Sequence, residues 1–161
     1  MSSVETLIAA FADEDRRLRE LADTYPPAFR DVPPQSGKLS LKQTLGHLAF
    51  WDRFTVKFFK SRLHDADVDA PSLGEIEDRN REELARIYDM PYEQVLELYV
   101  GATSDIQTFL RDHWTDLDET ERGNFNIPLK HRRHHRRLLV KALAIFAPEL
   151  TVTEEAQEKA G

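Results

Sequence analysis

Residues 40–63, SLKQTLGHLAFWDRFTVKFFKSRL, decide the fold. Ser40 stands directly before the first apolar residue, and Gln43 follows three positions later. That spacing is a capping box, in which the hydroxyl accepts from an orphan amide and the glutamine reaches back to the cap. With about 100° per residue and His47 at zero, Trp51 falls near about 40°, Phe54 near about −20° and Phe58 near about 20°. His47 therefore shares an aromatic stripe on a helix that runs through about Leu63. A lone imidazole on such a stripe is more often a core histidine bonded to a carbonyl than a ligand. Its meaning depends on what other helices present.

Working outward, residues 26–39 hold four prolines and Gly37 and read as a long connection. Before it, Val4, Leu7, Ile8, Phe11, Leu18, Leu21 and Ala22 form one helical stripe over residues 3–24. Tyr25-Pro26-Pro27 ends that helix, because proline cannot donate and disfavours helix in the residue before it. Downstream, residues 64–77 are acidic and broken by proline and glycine, hence loop. A shorter helix is expected over Ile76–Tyr88. Pro91 suits the first turn of another helix, which continues to about Trp114. Residues 115–126 read as loop. Asn126-Ile127-Pro128 then opens a last helix that stops before Pro148.

No strand and no repeat emerges, so the expectation is all-α. It is an up-down-type four-helix bundle over residues 1–150 with one additional short helix, and a polar tail over 151–161 that is frayed or loosely helical.

The composition fits a globular domain: 161 residues, 40% hydrophobic, 32% charged, net charge −7. An acidic molecule repels nucleic acid and anionic membranes unless a local patch intervenes, so neither is expected as a partner. With no cysteine, thiolate ligands and disulfides are excluded. No apolar run approaches the roughly 20 residues that span a bilayer, and the N-terminus lacks the form of a signal peptide, so a cytoplasmic location is the default expectation.

The last helix carries Lys130–Arg137, KHRRHHRR. With His131 at zero, His135 lies near about 40°, Leu138 near about −20°, Ala142 near about 20°, Ile145 near about −40° and Phe146 near about 60°. Both histidines are thus expected on the interior face, with His134 at its flank. Arg132, Arg133, Arg136 and Arg137 fall on the far side and read as a solvated face. On its own helix, Asp52 points away from the histidine stripe. Two imidazoles four residues apart can share one ion. The third ligand must come from another helix, and His47 is the candidate. Three neutral imidazoles suit a divalent metal such as zinc, nickel or iron and leave positions open to water, as catalytic sites do.

The segment Ser40–Trp51, SLKQTLGHLAFW, resembles the first motif of the DinB-like proteins, and His131-Arg132-Arg133-His134-His135-Arg136 resembles their second. These are four-helix bundles that include YfiT-type enzymes and mycothiol-dependent maleylpyruvate isomerase. The resemblance covers about residues 3–147. It implies that His47, His131 and His135 bind a divalent metal ion, zinc or nickel foremost, and that a low-molecular-weight thiol serves as a further cofactor.

It further implies a metal-dependent enzyme, a thiol-dependent transferase or hydrolase acting on a small molecule, assembled as a homodimer. The chain departs from the family in lacking the glycine-glutamine that often follows the second motif, and Arg132 stands where an acidic residue is frequent. A neighbouring branch, the colibactin self-protection group, looks similar. It implies the alternative of a non-catalytic bundle that binds a small hydrophobic or reactive molecule.

Overall fold

The computed structural model describes residues 3–65 and 67–150, so the expectation for the tail beyond residue 150 lies outside the described residues. Six α-helices are found among them and no strand: α1 (Ser3–Thr24), α2 (Leu41–His64), α3 (Leu73–Tyr88), α4 (Tyr92–His113), α5 (Glu119–Asn124) and α6 (Asn126–Phe146). The fold is the expected all-α bundle of four long helices.

The start of α2 is the predicted capping box: the Gln43 amide donates to Ser40 Oγ at 3.1 Å, and Gln43 Oε1 accepts from the Ser40 amide at 3.0 Å. Two further boxes correct the expected boundaries. Ser72 and Glu75 cap α3, which begins at Leu73 rather than at Ile76. Asp118 and Glu121 cap α5, which lies within a stretch read as loop. In both places a side chain satisfies amides at a helix start whose apolar periodicity is too short to register.

Two core layers fix the directions of the helices. One joins Leu18, Leu21 and Tyr25 to Leu41, Leu45, Val95, Tyr99, Leu139 and Leu143. The other joins Phe11 to Val56, Phe59, Ile106, Phe109, Phe125 and Leu129. The C-terminal half of α1 and of α6 thus lies level with the N-terminal half of α2 and α4. So α1 and α6 run one way and α2 and α4 the other, and each long helix packs on two neighbours. The helix α3 returns the chain between the parallel pair α2 and α4 and packs on α2.

Gly46 is what lets it approach. A Cβ there would stand 2.1 Å from Ile87 Cδ1, inside a fully buried contact. Further along, Trp51 Nε1 donates to Asn80 Oδ1 at 2.6 Å, and the Arg79 guanidinium lies 4.9 Å from the centroid of the Phe54 ring. The aromatic stripe of α2 is therefore the half-buried face that α3 covers.

The central stripe of α2 is instead formed by Leu41, Leu45, Leu48, Ala49, Asp52, Val56 and Phe59, all buried. On α6 the buried residues are Pro128, Leu129, Arg132, Arg136, Leu139, Ala142 and Leu143, whereas Ile145 is 56% exposed. In both helices the interior face is turned away from the one inferred on the wheel, by roughly 90–100° on α6 and by roughly 130–140° on α2. The four arginines do not form one solvated face, and Asp52 points away from the histidines into the core rather than out of it.

Candidate metal centre

The helix α2 supplies His47, and α6 supplies His131 and His135 one turn apart. Their Nε2 atoms converge, with His47 to His131 at 3.0 Å and His135 to His131 at 3.0 Å. All three ligand nitrogens lie within 4.8 Å of one another. The rings stand steeply to each other, at interplanar angles of 71°, 68° and 77°, so edges rather than faces meet. Each residue is half-buried. The two motifs meet because each lies beside, rather than on, the buried stripe of its helix. His134 is exposed, with its ring 5.2 Å from that of His135.

Burial removes water from the charged form of each imidazole. It pushes His47 and His131 down to about 4 and His135 down to about 3. The repulsion each would feel from a charged neighbouring imidazole lowers His131 and His135 further, while Glu83 pulls His47 the other way. At neutral pH the cluster is therefore three uncharged imidazoles, the form that binds metal.

Hydrogen bonding satisfies this arrangement poorly. A neutral Nε2 is either one N–H or one lone pair, and the His131 Nε2 faces two others at once. As donor it would split a single proton, and as acceptor it would share a single lone pair. Three lone pairs directed at one cation leave no such conflict. The donor set is that of a borderline divalent ion.

Directly beside His131, Arg132 belongs to a cluster of the opposite character. Its side chain is 1% exposed. Nε donates to Asp15 Oδ1 at 2.9 Å, Nη1 to Asp52 Oδ1 at 2.9 Å and Nη2 to Asp52 Oδ2 at 2.5 Å. Tyr99 Oη adds a bond to Asp15 Oδ1 at 2.6 Å, and the guanidinium lies 4.9 Å from the centroid of the Phe11 ring. One turn on, Arg136 Nε and Arg133 Nε donate to the two oxygens of Glu14 at 2.9 and 3.1 Å.

Burial raises Asp52 to about 7, opposed by Arg132 and reinforced by Asp15, because one cation between two carboxylates leaves a surplus negative charge. Burial also acts against the Arg132 charge, but Asp52 and Asp15 outweigh it and hold the guanidinium protonated. Since Arg132 follows His131 in the chain, its anchorage between α1 and α2 also sets the rotation of α6. That rotation turns His131 and His135 toward His47. The sequence signal for it was present as an acidic pair, Glu14-Asp15, on the apolar stripe of α1.

No helix among the described residues is long and apolar enough to cross a membrane. No curated protein and no solved structure matches the chain. The family model of the DinB superfamily matches residues 10–139, which takes in both histidine motifs, the whole of α2 and α4 and most of α1 and α6. The chain belongs to the DinB superfamily.

Proposed function

We propose that the chain is a metal-dependent enzyme with one divalent ion, zinc or nickel, held by His47, His131 and His135. The observation that supports it is the convergence of three neutral Nε2 atoms, that of His131 at 3.0 Å from each of the other two, which hydrogen bonds cannot share out. The ion would supply Lewis acidity, which makes a bound water or thiol nucleophilic at neutral pH.

The protein's own part is then threefold. The half-buried setting keeps the imidazoles unprotonated. The Arg132 cluster fixes their orientation, and Glu83, buried and paired with Arg86 through Nε at 3.0 Å, sets a negative charge whose field reaches His47. The reaction class proposed is transfer to, or hydrolysis of, a small electrophile with a low-molecular-weight thiol as co-reactant. A homodimer belongs to the same proposal and rests on the family resemblance, and a cytoplasmic location is proposed with it.

Elemental analysis of tag-free protein tests the metal site. About one divalent ion per chain is expected, lost in His131→Ala while the helical circular dichroism persists. Wild-type protein with no metal above background, and with stability unchanged by a chelator, overturns the proposal.

A second reading, a bundle that sequesters a reactive apolar molecule without turnover, is favoured by one observation. A cleft of about 420 Å³ opens beside His135, walled largely by apolar side chains. Thiol consumption by the zinc-loaded protein in the presence of a soft electrophile such as 1-chloro-2,4-dinitrobenzene separates the two. Catalytic turnover supports the enzyme, and a single stoichiometric event supports the sequestering bundle.

A further inference from the structure

The cleft beside His135 lies between the connection that precedes α2 and the C-terminal half of α6. Leu138, Leu139, Ala142 and Ile145 form its apolar wall, with Leu39 opposite. Gly37 shapes the opposing lip, since it adopts a φ of 77° that other residues rarely reach. His135 stands in the wall and turns its Nε2 to His131, so the cleft and the histidine cluster share a residue.

The charges along it are one-sided. Lys38 and Lys141 line the cleft and are exposed, and neither has an ion-pair partner among the described residues. Among the described residues, no carboxylate lines it. That is unusual on a molecule of net charge −7. Three other grooves each carry acids: Asp105 in one, Asp15, Glu20 and Asp23 in another, Asp69 and Glu75 in a third. Ile145 also leaves more than half of its surface in water here, which a bound apolar group would cover.

We infer that this cleft binds the substrate, and that the substrate is an apolar organic acid. Its hydrocarbon or aryl body lies along Leu138 and Ile145, and its anionic group meets Lys38 and Lys141. The shared residue His135 places the bound molecule next to the proposed metal. The inference deepens the metal-dependent reading and rests on it for the word substrate; the binding itself does not need the ion. Pockets of this size with an apolar wall and a few convergent charges are the usual form of small-molecule sites.

The test compares 4-phenylbutyrate with its neutral amide, titrated into the full chain while amide ¹H–¹⁵N resonances are followed. The measurement is made first on metal-free protein and then after loading with cobalt(II). The acid should bind about five- to tenfold tighter than the amide, the worth of one or two exposed charge pairs. Both should shift Gly37, Leu138 and Lys141. The double variant Lys38→Glu, Lys141→Glu, exposed at both positions, should keep its spectrum and lose the preference for the acid. Ile145→Asp should weaken both ligands.

In the cobalt-loaded protein the ligand's protons should broaden, which reports proximity to the paramagnetic ion. Equal affinity of acid and amide, shifts confined to residues outside the cleft, or a preference that survives the double variant overturns the inference. Acid binding without cobalt uptake overturns the metal-dependent function instead, and with it the substrate role.

Discussion

Two polar clusters meet on α6 one residue apart, and they are built on opposite principles. Around Arg132, cation, carboxylates and hydroxyls come from all four long helices, and nearly every donor has an acceptor. Around His131, three like groups face one another without charge and without a consistent pattern of donors. The first cluster is closed and buried, whereas the second is half-buried and borders a cleft. A satisfied polar network ties helices together and has nothing left to offer a ligand. An unsatisfied one of the right donor type is what a ligand completes.

Breaking the closed cluster should have the largest effect. Arg132→Met leaves Asp15 and Asp52 facing each other in the core, a loss of about 3–5 kcal/mol. For a chain of this length the thermal midpoint should fall on the order of 10 °C. Adding Asp15→Asn and Asp52→Asn to that variant should recover part of the loss, because no unpaired charge then remains. A triple variant less stable than Arg132→Met in urea titrations would show that the network is not held by charge.

The open cluster predicts the reverse behaviour, in which adding something stabilises. Zinc at about a hundred times its dissociation constant should raise stability by about 2.7 kcal/mol. His131→Ala should abolish that gain while changing the metal-free stability far less than Arg132→Met does. Differential scanning fluorimetry with and without zinc reads both. A zinc shift retained in His131→Ala would place the ion elsewhere.

The same contrast explains what the sequence could and could not reveal. The bundle was legible because proline and the capping box at Ser40 punctuate long amphipathic stripes. The histidine constellation was legible because His47, His131 and His135 hold the same phase relative to neighbouring apolar residues on two helices. The burial of Arg132 and Asp52 was not. On α2 the bulky aromatics Trp51, Phe54 and Phe58 suggested the interior, yet Trp51 and Phe54 lie under α3, Phe58 packs at the edge of the second core layer, and Leu45, Leu48 and Val56 mark the true core.

A wheel treats a charged residue as a vote for solvent. It has no means of knowing that an aspartate on one helix and an arginine on another cancel inside the bundle. Charges placed at the centre of a leucine stripe, as Asp52 is between Leu48 and Val56, are the available signal. The start of α3 and the short helix α5 were missed for a plainer reason. Their boundaries are set by single caps at Ser72 and Asp118 rather than by periodicity.

Acid should move the two clusters in opposite senses. The three imidazoles are depressed in the folded chain, so their contribution is intact above about 6.5 and is lost as pH falls toward 4. Asp52 is raised, so its contribution is present at low pH and is lost as pH climbs through about 7. Between pH 7 and 6 the histidines dominate by number, and metal-free protein should lose about 1 kcal/mol net. Asp52→Asn should steepen that loss, since the compensating proton uptake disappears. His131→Ala combined with His135→Ala should flatten or invert it. Urea midpoints across this range decide the matter, and a slope unaffected by either variant would mean that neither cluster titrates as described.

The smallest effect is expected where the chemistry of Arg132 is repeated in water. Arg16 also bridges two carboxylates, with Nη2 to Asp13 Oδ1 at 2.7 Å and Nη1 to Glu20 Oε1 at 2.8 Å, distances as short as those of the buried cluster. Its side chain is 56% exposed, against 1% for Arg132. Solvent screens the exposed pairs, and holding three flexible side chains together offsets what attraction remains. Arg16→Met should therefore leave the urea midpoint unchanged within error, at low salt and at high salt alike. A loss comparable to that of Arg132→Met would show that ion-pair geometry alone sets the energy. The expected silence at Arg16 would instead assign the cost at Arg132 to burial, because the bonds themselves are of the same kind.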